Sequence, residues 1–139
     1  MNIVDSSGWL EYFSEGPNAE FFSSPLKDPN FLIVPVITIY EVFKVVLREA
    51  GENEALQAIA AMQKGQIKDL TLSIAMNAAK ISLQHSLPMA DSIILATASK
   101  FKCTLWTQDS DFENMPGVNF IPKKSACYSL GSGQVNRQK

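Results

Sequence analysis

Phe31-Leu32-Ile33-Val34 is a continuous apolar run halted by Pro35, and it constrains the fold more than any other feature of the chain. A strand with one face in water alternates apolar and polar residues, whereas a strand buried on both faces does not. This run therefore belongs inside a sheet covered by helices on either side. Its surroundings agree. Residues 2–5 read as a short strand that turns directly into a helix from Ser7 to Glu15, with Trp9, Leu10 and Phe13 as its apolar stripe and Gly16-Pro17 as its stop. Cys103 to Thr107 reads as a third strand and Val118 to Ile121 as a fourth, with a loop or single turn from Asp109 to Asn114 between them.

Helical spacing fills the intervals. Asn18 to Ser24 reads as a short helix, followed by a turn-rich connector from Ser24-Pro25 to Asn30. The clearest helix begins at Thr38, where Thr38-Ile39-Tyr40-Glu41 fits a capping box in which Glu41 reaches back to the backbone of Thr38. Ile39, Val42, Phe43, Val46, Leu47 and Ala50 form its apolar face, and Gly51 ends it. Helices from Asn53 to Lys64, from Ser73 to His85 and from Pro88 to Lys100 follow, with a short connector strand within Ile67 to Leu72. Strands alternating with helices predict an α/β fold with a small, mostly parallel central sheet. The expected domain is residues 1–130, with 131–139 as a polar, flexible tail.

Composition narrows the function classes. A chain of 139 residues with 46% apolar and 19% charged residues suits one domain with a proper core and needs no disulfide framework. Cys103 and Cys127 lack metal-type spacing, and Cys103 is expected to be a small buried apolar residue of its strand. His85 is the lone histidine, so a histidine-based metal site is excluded and a place at a helix end is expected. The amino terminus shows no basic leader, and the longest apolar run, Phe31 to Tyr40, is too short to span a membrane, so a cytoplasmic location is expected. A net charge of −2 argues weakly against a nucleic-acid partner. Setting aside Asp5, Glu41, Asp91, Asp109 and Asp111 leaves nine acids against twelve Lys and Arg, a formal +3 for the remaining surface. A phosphate backbone is compatible with that balance.

Those five acids sit at junctions. Asp5 follows Ile3-Val4, Glu41 opens the helix after the apolar run, Asp91 lies in the first turn of another helix, and Asp109 and Asp111 follow Cys103-Thr104-Leu105-Trp106-Thr107. With parallel strands, Asp5 and Asp109 fall at carboxyl ends, where open α/β sheets place their ligands. Gathered carboxylates repel unless a cation neutralises them, and an all-oxygen donor set suits Mg²⁺ or Mn²⁺ rather than zinc. Each acid also has an ordinary structural explanation. Asp5 serves as an N-cap, Glu41 as half of a capping box or of a surface ladder with Lys44 and Arg48, Asp91 as a partner of the helix dipole, and the last two as turn formers.

The motifs resemble a known family. Ile3-Val4-Asp5-Ser6-Ser7-Gly8-Trp9-Leu10, Thr38-Ile39-Tyr40-Glu41-Val42, Met89-Ala90-Asp91-Ser92-Ile93-Ile94-Leu95-Ala96-Thr97-Ala98 and Leu105-Trp106-Thr107-Gln108-Asp109-Ser110-Asp111-Phe112 are similar, in order and spacing, to the four acidic motifs of PIN-domain proteins. Over residues 2–122 the chain resembles the VapC-type toxins of type II toxin–antitoxin pairs. The resemblance implies a PIN-like three-layer fold and a metal-dependent endoribonuclease that works as a homodimer and is inhibited by an antitoxin protein. Asp5, Glu41, Asp91 and Asp109 would then be the acidic quartet holding Mg²⁺ or Mn²⁺, with Asp111 assisting and the hydroxyls of Ser7 and Thr107 orienting the first and fourth carboxylates. Lys44 and Arg48 are candidate RNA contacts on the Glu41 helix. Two alternatives stay open: an inactive PIN-like binding module, and another metal-dependent phosphohydrolase. A haloacid-dehalogenase-like enzyme would place Asp-x-Asp after the first strand, where this chain has Asp5-Ser6-Ser7.

Overall fold

The computed structural model describes residues 1–124. The predicted tail from 131 lies outside the described residues. Five short strands, β1 (Asn2–Val4), β2 (Ile33–Pro35), β3 (Gln66–Lys68), β4 (Thr104–Thr107) and β5 (Val118–Phe120), all pair in parallel. β1, β4 and β5 form one ladder and β2 and β3 another, and an isolated parallel bridge from Asn2 to Leu32 sets the two side by side. The order across the sheet is therefore β3-β2-β1-β4-β5. Six α-helices surround it among the described residues: α1 (Ser6–Phe13), α2 (Ala19–Leu26), α3 (Val36–Ala50), α4 (Glu52–Met62), α5 (Leu72–His85) and α6 (Met89–Phe101).

Neighbouring residues of the central strands point to opposite faces, and both faces are covered. Val4 and Val34 pack with Trp9, Phe22, Val42 and Met62 from α1 to α4. Ile3, Ile33 and Leu105 pack with Ile94 and Ala98 of α6 on the other side. A third cluster joins α5 to α6 through Ile74, Ala78, Ile93 and Ala96. The three-layer α/β architecture follows from this period of two with apolar residues in both phases. Gly8 lets α1 lie against β1 and α2, since an added Cβ would come within 2.5 Å of Val4 Cγ1 and 2.7 Å of the Phe22 ring.

Most boundaries shift by a residue or two, the connector strand to Gln66–Lys68 among them, and three differences have a clear physical reason. β2 starts at Ile33 rather than Phe31, because Pro29–Phe31 form a 3₁₀ turn that leaves the Phe31 ring exposed. α2 runs through Pro25 to Leu26, since the proline sits in the last turn, where little helix remains to be broken, and its ring is buried. The third difference bears on the site. α3 begins at Val36 with Pro35 as its cap residue, so Thr38 is already inside the helix and donates its hydroxyl to the Pro35 carbonyl at 2.6 Å. The capping box does not form. Proline preorganises the start of α3, and no hydrogen bond links Glu41 back to the first turn.

Candidate metal centre at the carboxyl edge of the sheet

Asp5 leaves the carboxyl end of β1 as the N-cap of α1, and its carboxylate is held from three directions. Oδ1 accepts from the Gly8 amide at 3.1 Å and the Ser7 hydroxyl at 2.8 Å, and Oδ2 accepts from the Thr107 hydroxyl at 2.7 Å. A carboxylate offers about four acceptor positions, so roughly one remains for another ligand. Thr107, at the end of β4, also accepts from the Asp109 amide at 2.9 Å. Ser7 is expected to orient the first carboxylate and Thr107 the fourth; here both hydroxyls donate to Asp5, and Thr107 meets the fourth motif only through the Asp109 backbone amide.

Asp91 enters from the first turn of α6, and Asp109 and Asp111 from the turn after β4. One oxygen of each lies within 4.8 Å of the other two. Asp109 Oδ1 accepts from the Asp111 amide at 2.9 Å, which fixes this turn. Glu41 comes from α3. The Ser6 side chain lies close enough to favour its charged form, whereas its Oε1 is buried and has no hydrogen-bond partner.

Electrostatics show that these groups share one space. Burial foremost, then the charges of Asp109, Asp5 and Asp111 and a hydrogen bond with Asp111, push the Asp91 carboxyl up to about 8. Asp5 rises to about 6 because it is buried, even though the bonds from Thr107, Ser7 and Gly8 pull it down. Glu41 is raised by burial and by the Asp109 charge, against the pull of Ser6 and Lys44. Among the described residues no lysine or arginine forms an ion pair with any of the five acids. An orphaned buried oxygen, clustered carboxylates and a purely oxygen donor set fit a hard divalent cation.

The two basic candidates separate. Lys44 lies near enough to Glu41 to favour its charged form. Arg48 instead pairs with Glu49 at 3.0 Å on the exposed face of α3, so the imagined ladder from Glu41 to Arg48 is absent. Sequence reasoning passed over Ser6, and it also missed a buried bracket behind the site. Gln108 donates to Glu11 Oε1 at 3.2 Å and accepts from Asn18 at 2.9 Å, while Glu11 Oε2 accepts the Asn18 amide at 2.6 Å. This bracket joins α1, the start of α2 and the segment between Thr107 and Asp109. Its one visible signal was an uncharged polar residue wedged between two motif positions.

A family model described as the PIN domain matches residues 3–118. The chain belongs to the PIN domain family. No curated protein matches it. Among solved structures, a toxin–antitoxin complex from Klebsiella pneumoniae is similar at a TM-score of 0.72 and 24% identity, covering 86% of this chain and 96% of that one. VapC20 of Mycobacterium tuberculosis, described as a sarcin–ricin loop cleaving toxin, is similar at 0.69 and 15% identity, covering 84% and 95%. DNA-bound VapBC from Salmonella typhimurium is similar at 0.67 and 14% identity, covering 88% and 98%. At these identities the likeness is one of fold, and it extends over nearly the whole PIN domain.

Proposed function

We propose that this PIN domain is a metal-dependent endoribonuclease that hydrolyses RNA phosphodiester bonds as the toxin of a toxin–antitoxin pair in the cytoplasm. The observation that carries the proposal is the gathering of Asp91, Asp109 and Asp111 within 4.8 Å, beside a buried Glu41 oxygen that has no partner. Such a constellation is costly to fold without a cation, and an inactive binding module would have no use for it. Asp91, Asp109, Asp111 and Glu41 would hold Mg²⁺ or Mn²⁺, and Asp5 would take part through its remaining acceptor position. When bound, the cation supplies a more acidic water and neutralises charge developing at the phosphoryl group. Ser7 and Thr107 keep the Asp5 carboxylate from rotating, Thr107 positions the Asp109 backbone, and Ser6 orients Glu41. Lys44 adds positive charge at the rim, where a phosphate chain would approach.

Two protein partners accompany this reading. An open groove of about 550 Å³ between α1, α3 and α4, lined by Leu10, Phe13, Val45, Val46 and Ala58, supports the docking of an antitoxin segment. Leu72, Met76 and Leu83 lie exposed at helical spacing on α5, up to 88% at Leu83, and this stripe supports a homodimer.

The test is cleavage of purified total RNA with Mg²⁺, with Mn²⁺ and with chelator. Expected are discrete fragments with either cation, none with chelator, and none from Asp91→Asn. Cation-independent cutting, or parental cutting by Asp91→Asn, would end the proposal. Hydrolysis of a simple phosphomonoester with no action on RNA would favour another phosphohydrolase.

A further inference from the structure

Tyr40 is a large aromatic side chain left 58% exposed on α3, directly before Glu41. Val36, Tyr40 and Lys44 are all exposed and follow one another at intervals of four, so they line one side of the helix, descending from the sheet edge that carries the acids. The Lys44 ammonium lies over the Tyr40 ring at 5.6 Å from its centre. The same ammonium favours the charged form of Glu41. Lysine therefore lies beside two neighbours of different character, the Glu41 carboxylate and an exposed aromatic ring. Beside that cation Tyr40 still keeps more than half of its surface exposed. Phe31, the other exposed aromatic near β2, precedes that strand and so stands at the opposite, amino edge of the sheet.

We propose that Tyr40 is a stacking platform for a base of the bound RNA strand, beside the phosphate presented to the acidic cluster, with Lys44 contacting a flanking phosphate. This rests on the nuclease reading above. Single-strand binders combine these elements: a ring that stacks any base and a cation that follows the backbone. A ring recognises a base by its π-face rather than by hydrogen bonds, so the platform confers a preference for purines over pyrimidines and no strict sequence. Tyrosine suits this place because its hydroxyl tolerates water while the ring keeps a flat apolar face.

The experiment measures binding of fluorescein-labelled oligoadenylate and oligouridylate to the metal-free protein over a range of salt, together with cleavage of total RNA by the same preparations in Mg²⁺. Tyr40→Ala is expected to weaken oligoadenylate binding by about 5- to 150-fold, the range spanned by loss of one stacked base. The slope of log affinity against log salt should stay as in the parent, because stacking releases no counterions. Tyr40→Trp should restore binding, and oligouridylate should lose less than oligoadenylate. Lys44→Ala should instead flatten the salt slope by about one. If the parent cuts and binds RNA but Tyr40→Ala binds oligoadenylate within about twofold of it, the platform is wrong and the nuclease reading stands. A lost salt slope in Tyr40→Ala, or no rescue by tryptophan, also overturns it, since either marks displacement of Lys44 or of α3. A parent that neither binds nor cuts RNA removes both proposals together.

Discussion

Asp5 and Asp91 are the residues whose chemistry the fold alters most. Both carboxyls have an ordinary value of 3.8, and the folded chain raises them to about 6 and about 8. A raised acid means that the folded state holds more protons than the unfolded state between those values. Through these two groups the metal-free protein should lose stability as pH climbs from about 4 toward 8. For the fully buried Asp5 this amounts to about 3 kcal/mol, at roughly 1.4 kcal/mol per unit; Asp91 is partly solvated and adds less than its shift suggests. Asp91→Asn should accordingly raise the metal-free Tm at pH 8, shrink its dependence on pH, and reduce the rise in Tm that Mn²⁺ brings to the parent. Thermal melts with chelator and with Mn²⁺ would check this. An undiminished response to Mn²⁺ would place the cation elsewhere.

Among the elements, α1 shows how closely the site depends on packing behind it. Helix propensity alone says that alanine at position 8 should stabilise, by about 1 kcal/mol. The structure reverses that sign. An added methyl would meet Val4 and a fully buried Phe22 at 2.5–2.7 Å, and overpacking of this kind costs about 1–3 kcal/mol. Gly8→Ala should therefore lower Tm. It should also lower the activity of the surviving folded fraction, because the Gly8 amide is one of the three donors to Asp5. Denaturant unfolding beside the RNA assay would show both effects, and an unchanged midpoint would mean that α2 yields to the methyl. α3 carries a related lesson. Thr38 and Glu41 have the spacing of a capping box, yet Pro35 starts the helix first, and the glutamate is released from that role.

For the whole molecule, the parallel sheet gathers residues from β1, α3, α6 and the turn after β4 at one edge, while α5 faces away with its apolar stripe uncovered among the described residues. Leu72, Met76 and Leu83, 78%, 58% and 88% exposed, leave three large apolar side chains in water on one face of α5. A standard interface needs about 800 Å² per partner, so the stripe would form the centre of a contact and its surroundings the rim. Light scattering coupled to size-exclusion chromatography should find a dimer for the parent and a monomer for Leu83→Glu. Since Leu83 is 88% exposed, that change should leave the monomer fold intact. A parent that stays monomeric at high concentration would assign the stripe to another partner.

The sequence by itself determined the layering and the chemical type of the site. An unbroken apolar run bounded by proline pointed to a strand covered on both faces, which Ile33 and Val34 are, and acids at the ends of parallel strands can converge at a shared carboxyl edge. These are consequences of period and topology, which local residues carry. Tertiary structure alone decided which acids meet, that Glu41 keeps a buried oxygen without a partner, and that Arg48 pairs with Glu49. Glu41 shows the reason: its role is ambiguous among its helical neighbours, and the groups that act on its charge in the fold, Asp109 and Ser6, lie far away in the sequence. Burial, repulsion between charges and the pairing of hydrogen bonds depend on distance in space, and positions far apart in the chain have no fixed distance until it folds.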